Sequence, residues 1–231
     1  MVLAICVLCG PAFSQDISID LGDETSLTAR SLQLIALITV LSLAPGLAIM
    51  VTCFPFIVTV LSILRQAIGL QQSPPNMLIV SLALFLTYFV MAPVFEASYA
   101  AGIGPLLSEQ LELSVAISRA YEPFQIFMQS RVNPETLRSL AELRELPIGV
   151  EPDASILIPS FMLSEVERAF QIGFLIFLPF LIIDLVVAAI LMSMGMMMVP
   201  PAIVSLPFKL AFFVVADGWS LLTSALVRSY F

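Results

Sequence analysis

Histidine is absent from this 231-residue chain, and charged residues make up 11% of it, against about a quarter in an ordinary soluble domain. The first absence removes the commonest metal ligand and the commonest general base, so no metal, cofactor or catalytic set is assigned. The second, with 60% hydrophobic residues and a mean hydropathy of +1.06, excludes a soluble fold and indicates an integral membrane protein. Positive charge is also scarce. Nine Lys and Arg stand against 17 Asp and Glu, for a net charge of −8, so no basic stripe exists to neutralise nucleic-acid phosphates. Cysteine is limited to Cys6, Cys9 and Cys53. If the first two leave with a signal peptide, Cys53 has no intrachain partner and no disulfide framework forms.

What is present is organised around Phe170 to Leu210. Two apolar runs, Phe170–Leu191 and Ala202–Val227, flank the junction Met192-Ser193-Met194-Gly195-Met196-Met197-Met198-Val199-Pro200-Pro201, which holds five of the chain's 11 methionines. Methionine is unbranched, flexible and polarizable, so several together can close around an object of changing shape. Glycine and two prolines at the same place end a helix and turn the chain. The junction therefore reads either as a deformable seal at the tip of a helical hairpin or as an apolar turn buried in a neighbour.

In order along the chain, residues 1–14 read as a signal peptide, with an apolar run and a small-residue cleavage site but no basic start. Residues 15–31 form a polar, exported lead-in carrying Asp16, Asp20, Asp23 and Glu24. Residues 32–95 form a first hydrophobic hairpin. Its opening run, Leu32–Leu64, is uncharged for 33 residues, more than the roughly 20 of one span and too few for two spans with a turn. Ala44-Pro45-Gly46 and Pro55 interrupt it, so a broken or steeply tilted helix is expected. Arg65 opens a polar linker, and the next run starts near Pro75 and reaches about Val94. Residues 96–168 carry ordinary charge density and read as small periplasmic helices, one of them capped by Asn133 before Pro134 and Glu135. Residues 169–231 form the second hairpin.

The expected fold is all-α, a multi-pass membrane-type protein with kinked or broken helices in two hairpins and a helical periplasmic insertion. With the signal cleaved, Arg65 falls inside and the methionine turn faces the cytoplasm. The arginines of the 96–168 segment do not oppose this, because loops longer than about 60 residues escape the positive-inside rule.

Asp184, Lys209 and Asp217 are expensive at membrane depth and need partners or water. Asp184 and Lys209 lie about a dozen residues either side of the tip, hence at one depth at ~1.5 Å per residue, and pair across the hairpin. Asp217 matches Lys209 poorly, being about 12 Å further along. The pair fixes helix register or relays a proton or ion. Paired intramembrane charges also suit a small proton-coupled carrier, although no inverted repeat relates the halves. A serine-lysine dyad on Lys209 or an aspartate pair from Asp184 and Asp217 would be the enzymatic options, and neither lies in a matching motif.

Several segments together resemble the FliP family of the bacterial type III export apparatus: Leu61-Ser62-Ile63-Leu64-Arg65-Gln66-Ala67-Ile68-Gly69, Gln71-Gln72-Ser73-Pro74-Pro75-Asn76, Phe170-Gln171-Ile172-Gly173-Phe174, Leu178 to Val187, the methionine turn, Ser205-Leu206-Pro207-Phe208-Lys209-Leu210 and Asp217-Gly218-Trp219. The resemblance implies a non-enzymatic homopentamer joining FliQ and FliR in an export gate, near FlhA and FlhB, that passes unfolded flagellar subunits. It implies that Met192, Met194, Met196, Met197 and Met198 form a gasket at the constriction, and that the apolar helices are buried against protein above the bilayer plane of the bacterial inner membrane, in the flagellar basal body. Injectisome gate subunits share many of these segments; the Met192-Ser193-Met194 spelling and the signal peptide favour the flagellar branch. The chain departs from the family pattern at Cys53 and Phe56, where serine and arginine are usual, and at the added Pro55.

Overall fold

A computed structural model describes residues 24–69, 75–144, 153–196 and 198–231. The signal-peptide reading, most of the polar lead-in, the Gln71-Gln72-Ser73-Pro74 segment and Met197 lie outside those residues. The chain divides into two compact units, Met1–Pro45 and Gly46–Phe231. Among the described residues every regular element is helical.

Helix α1, Glu24–Met50, is uncharged and predominantly apolar from Leu32 onward, and its side chains from Ser31 to Leu43 are exposed. That is the character of a helix meant for lipid or for a protein neighbour rather than for water. The uncharged first run is broken, but not at its first proline. Pro45 sits inside α1, which continues to Met50, and the interruption falls at Val51-Thr52-Cys53. Pro55 explains the position: in the first turn of the next helix its missing N–H leaves no bond unmade.

That next helix, α2 (Phe54–Ile68), is the centre of the second unit. Phe56, Ile57, Val60 and Ala67 are wholly buried, with Leu61 and Leu64 almost so. Full burial of a side chain of this size contributes about 1.5–3 kcal/mol, so α2 concentrates the apolar stabilisation. It lies against α3 (Asn76–Ser98) and, most extensively, against α7 (Ala154–Ser193). Gly173 permits the second contact, because a Cβ there would lie 2.4 Å from Ile63 Cδ1. At the end of α2 Gly69 takes the left-handed conformation, φ 89°, that closes the helix, and Arg65 reaches Asn76 at the start of α3.

The second apolar run does not stop near Val94. Helix α3 continues to Ser98, then through a π-helical turn, Tyr99–Ile103, into the short α4, Gly104–Leu107. Helix α5, Leu113–Arg131, runs back alongside it. They approach tightly at Gly102, where a Cβ would lie 2.4 Å from the Ala116 carbonyl oxygen, and Ser98 Oγ donates to the Ala120 carbonyl at 2.7 Å. The short α6, Pro134–Leu143, has the cap its sequence indicates, with Asn133 Oδ1 accepting from the Glu135 amide at 3.0 Å.

Helix α7 runs for 40 residues straight through the composition change at Arg168. The last apolar run is two helices, α8 (Pro201–Val215) and α9 (Gly218–Arg228), bent by 61° at Ala216-Asp217. Three described helical stretches are long and apolar enough to cross a membrane, or four if the bent pair counts as one.

Gly102→Ala should destabilise the fold by about 1–3 kcal/mol, because the obstacle is a backbone carbonyl that no rotamer change moves. Gly46→Ala, whose Cβ would meet nothing within 4 Å, should be neutral or gain up to ~1 kcal/mol of helix propensity. Thermal midpoints in detergent measure both, and an unchanged midpoint for Gly102→Ala would contradict the close approach of α5.

Candidate functional site

The α7–α8 hairpin is built from its tip. Helix α7 ends in a Schellman motif. Gly195, at φ 76°, donates to the Met192 carbonyl at 3.1 Å, and the Met196 amide donates to the Leu191 carbonyl at 3.0 Å. Only a residue without a Cβ adopts that φ at no cost, so the glycine within the methionine run is what reverses the chain. Pro200 then precedes α8, and Pro201 occupies its first turn.

The methionines stand on this reversal with their side chains outward. Met192, Met194 and Met196 are 61%, 66% and 40% exposed, and Met198 is 98% exposed. Met197 lies outside the described residues. The single chain offers these thioethers no seat. A contiguous apolar group of this kind is rarely left to water and marks a surface that meets something else.

Along the hairpin from the tip, the charges are drawn together. Lys209, the only lysine of the chain, lies on α8 and is 95% buried. Its Nζ donates to Asp184 Oδ2 of α7 at 2.6 Å and to the carbonyl of Ala67, in the last turn of α2, at 3.1 Å. Ser205, one turn before Lys209 and fully buried, donates from Oγ to Asp184 Oδ1 at 2.5 Å. One ammonium thereby ties three helices, and both carboxylate oxygens of Asp184 accept a bond. The aspartate side chain is 31% exposed, so the pair is sealed on the lysine side and open on the carboxylate side. Asp217 is not part of the cluster. It lies exposed at the bend between α8 and α9, with the left-handed backbone, φ 47°, that aspartate tolerates better than most residues.

Sequence reasoning missed Ser205 and the Ala67 carbonyl. Ser205 was findable, since a residue four before Lys209 on a helix shares its face. The carbonyl was not, because it requires the packing of α2 against the hairpin. Cys53 and Phe56 are both wholly buried, and Phe56 meets the Tyr230 ring edge-on at 5.6 Å. Burial pushes the Cys53 thiol up to about 12. Among the described residues no group of three or more His, Cys, Asp or Glu could hold a metal ion.

Long apolar helices, an ion pair inside them and a sulfur-rich reversal at their tip define a helical protein of the multi-pass membrane type. The model of the FliP family matches residues 37–226. The flagellar biosynthetic protein FliP of Caulobacter vibrioides is 53% identical over 99% of this chain and 87% of its own length. That of Agrobacterium fabrum is 45% identical over 99% and 97%, and that of Bacillus subtilis 42% over 87% and 93%. The chain belongs to the FliP family.

Asp184→Ala leaves the deeply buried Lys209 ammonium with a single carbonyl, and should cost about 3–5 kcal/mol. Lys209→Met leaves a partly exposed carboxylate that keeps Ser205 and gains water, and should cost clearly less. Thermal unfolding of the two variants in detergent gives the order; the reverse order would show that the cluster is not sealed on the lysine side.

Proposed function

We propose that this chain is a pore-forming subunit of the flagellar type III protein export gate, closed at rest by a gasket of Met192, Met194, Met196, Met197 and Met198. The observation that carries the reading is the outward display of the described methionines on a reversal whose backbone is fixed by hydrogen bonds. A rigid turn holding flexible, apolar side chains suits a closure that must yield to an unfolded chain and then reseal. Membership of the FliP family, and the flagellar biosynthetic role in the names of the relatives, support export as the process and flagellum assembly as its setting. The same names favour the flagellar gate over an injectisome gate.

In this reading several copies, a pentamer as the resemblance implies, form a ring with FliQ and FliR, with FlhA and FlhB nearby, at the inner membrane and the flagellar basal body. Copies bring their α7–α8 tips to one axis, and the outward apolar faces of α3, α7 and α8 meet neighbouring subunits or lipid. The 1–14 segment directs export and is removed, and the 96–168 helices face the periplasm. The chain carries no catalysis. The Asp184–Lys209 pair fixes the register of the hairpin and so the height of the gasket.

Replacing Met196, Met197 and Met198 together with alanine should leave assembly intact and raise small-ion leakage across the membrane several-fold. Ion efflux from cells or vesicles carrying the assembled variant measures it. An assembled variant that stays as tight as the parent would remove the gasket from the account.

A further inference from the structure

A second polar cluster, away from the Asp184–Lys209 pair, surrounds Glu165 of α7, whose side chain is completely buried. Its Oε1 accepts from Arg131 Nε at 3.1 Å and from Arg168 Nη1 at 3.2 Å, and its Oε2 accepts from the Tyr230 hydroxyl. Arg131, the last residue of α5, also donates from Nη1 to the Ser229 carbonyl at 2.7 Å, and its guanidinium lies 4.0 Å over the centre of the Tyr230 ring. The ring is held between Phe56 of α2, at 5.6 Å, and Phe127 of α5, at 6.0 Å. Two residues that follow α9 thus touch α2, α5 and α7 together, by hydrogen bonds, a cation–π contact and aromatic packing.

The other end of α9 is a bend. Asp217 is left-handed, and Gly218 has the Phe213 ring where a Cβ would be, at 2.2 Å. Between bend and tail, α9 seats Leu222 and Leu226 in the core. Compared with α2, whose buried residues run its whole length, α9 is held by few contacts and by one polar clasp. The clasp is incomplete, since Arg131 Nη2 is buried without a hydrogen-bond partner.

We propose that Ser229 and Tyr230 are a strap that pins α9 across α5 and α7, and that release of the strap lets α9 lift about the Asp217-Gly218 bend while the α2–α7 core stays folded. The molecule contains its own reporter. Cys53 is wholly buried one turn before Phe56, in the core cluster that Tyr230 packs against, and its Sγ lies 4.0 Å from the Thr87 carbonyl of α3, so withdrawal of the Tyr230 ring from Phe56 takes away one wall of the cluster that encloses the thiol. Local opening of this kind is read by the reaction rate of a buried group.

The test is alkylation of Cys53 by iodoacetamide in the full chain in detergent, with Cys6 and Cys9 replaced by serine. Tyr230→Phe keeps the ring and deletes one hydrogen bond to a charged group, and should speed labelling by roughly tenfold or more. Tyr230→Ala should speed it further. A cysteine placed at Val60, buried midway along α2, in a Cys53→Ser background should stay as slow to react as in the parent. Unchanged labelling of Cys53 in Tyr230→Phe would overturn the strap. So would an equal acceleration at both positions, which would mean that the whole core opens. Should Tyr230→Ala fail to fold, Tyr230→Phe alone decides.

Discussion

Lys209 is the constraint on which the α7–α8 hairpin depends. An ammonium so deeply buried is tolerable only if its partners are held in place, and here they come from two other helices, Asp184 of α7 and the Ala67 carbonyl of α2. Sliding α8 along α7 by one residue would separate the charges and strand the lysine. The register of the hairpin is therefore set by electrostatics, in a region where aliphatic contacts alone would allow neighbouring registers at similar energy. The methionine reversal sits about 18 Å from that pin at ~1.5 Å rise per residue, so its height follows from the pin.

The molecule has the apolar core of a soluble domain, but it also buries charge and leaves long apolar faces uncovered. Its buried set includes Glu165, Ser160, Ser164, Ser205 and Lys209, whereas Phe170, Phe174, Leu175, Ile182, Leu185 and Val186 of α7 and Phe85, Tyr88 and Phe89 of α3 lie exposed. Polar groups buried in this way each have a partner within the chain: Ser160 and Ser164 donate to backbone carbonyls one turn back, Ser205 to Asp184, and Glu165 accepts from three side chains. The apolar outer faces have no such internal solution, and the surroundings must supply it. Apolar packing around α2 and a few buried polar contacts thus fix the shape of the chain, and greasy surface is kept for whatever encloses it.

Much of this was legible in residues alone. Composition set the class, helical spacing and the Asn133 signal placed α6, and folding the chain back at Met196 and Met197 put Asp184 and Lys209 at one depth, where their side chains stand 2.6 Å apart. Breaks were harder to read than runs. Pro45, Pro93, Pro123, Pro159 and Pro179 all lie inside helices, where the hydrogen bonds of the neighbouring turns carry the chain past a missing donor, whereas the breaks fall at Val51–Cys53 and at Asp217. The π-helical turn had no signal beyond the small residues Ala100-Ala101-Gly102. The Glu165 cluster was illegible for a plainer reason. Arg168 is a helical neighbour of Glu165, but Arg131 and Tyr230 lie 34 and 65 positions away in sequence, on elements whose packing only the fold reveals.

The central claim is that the methionine reversals of several copies converge on one passage and narrow it. A density map of the assembled complex, resolved well enough to place Met192, Met194, Met196 and Met198, tests it most directly. These side chains should lie at the narrowest point of a shared central channel, facing one another across it. Finding them on the outer wall, against lipid or solvent, with another segment forming the constriction, would contradict it.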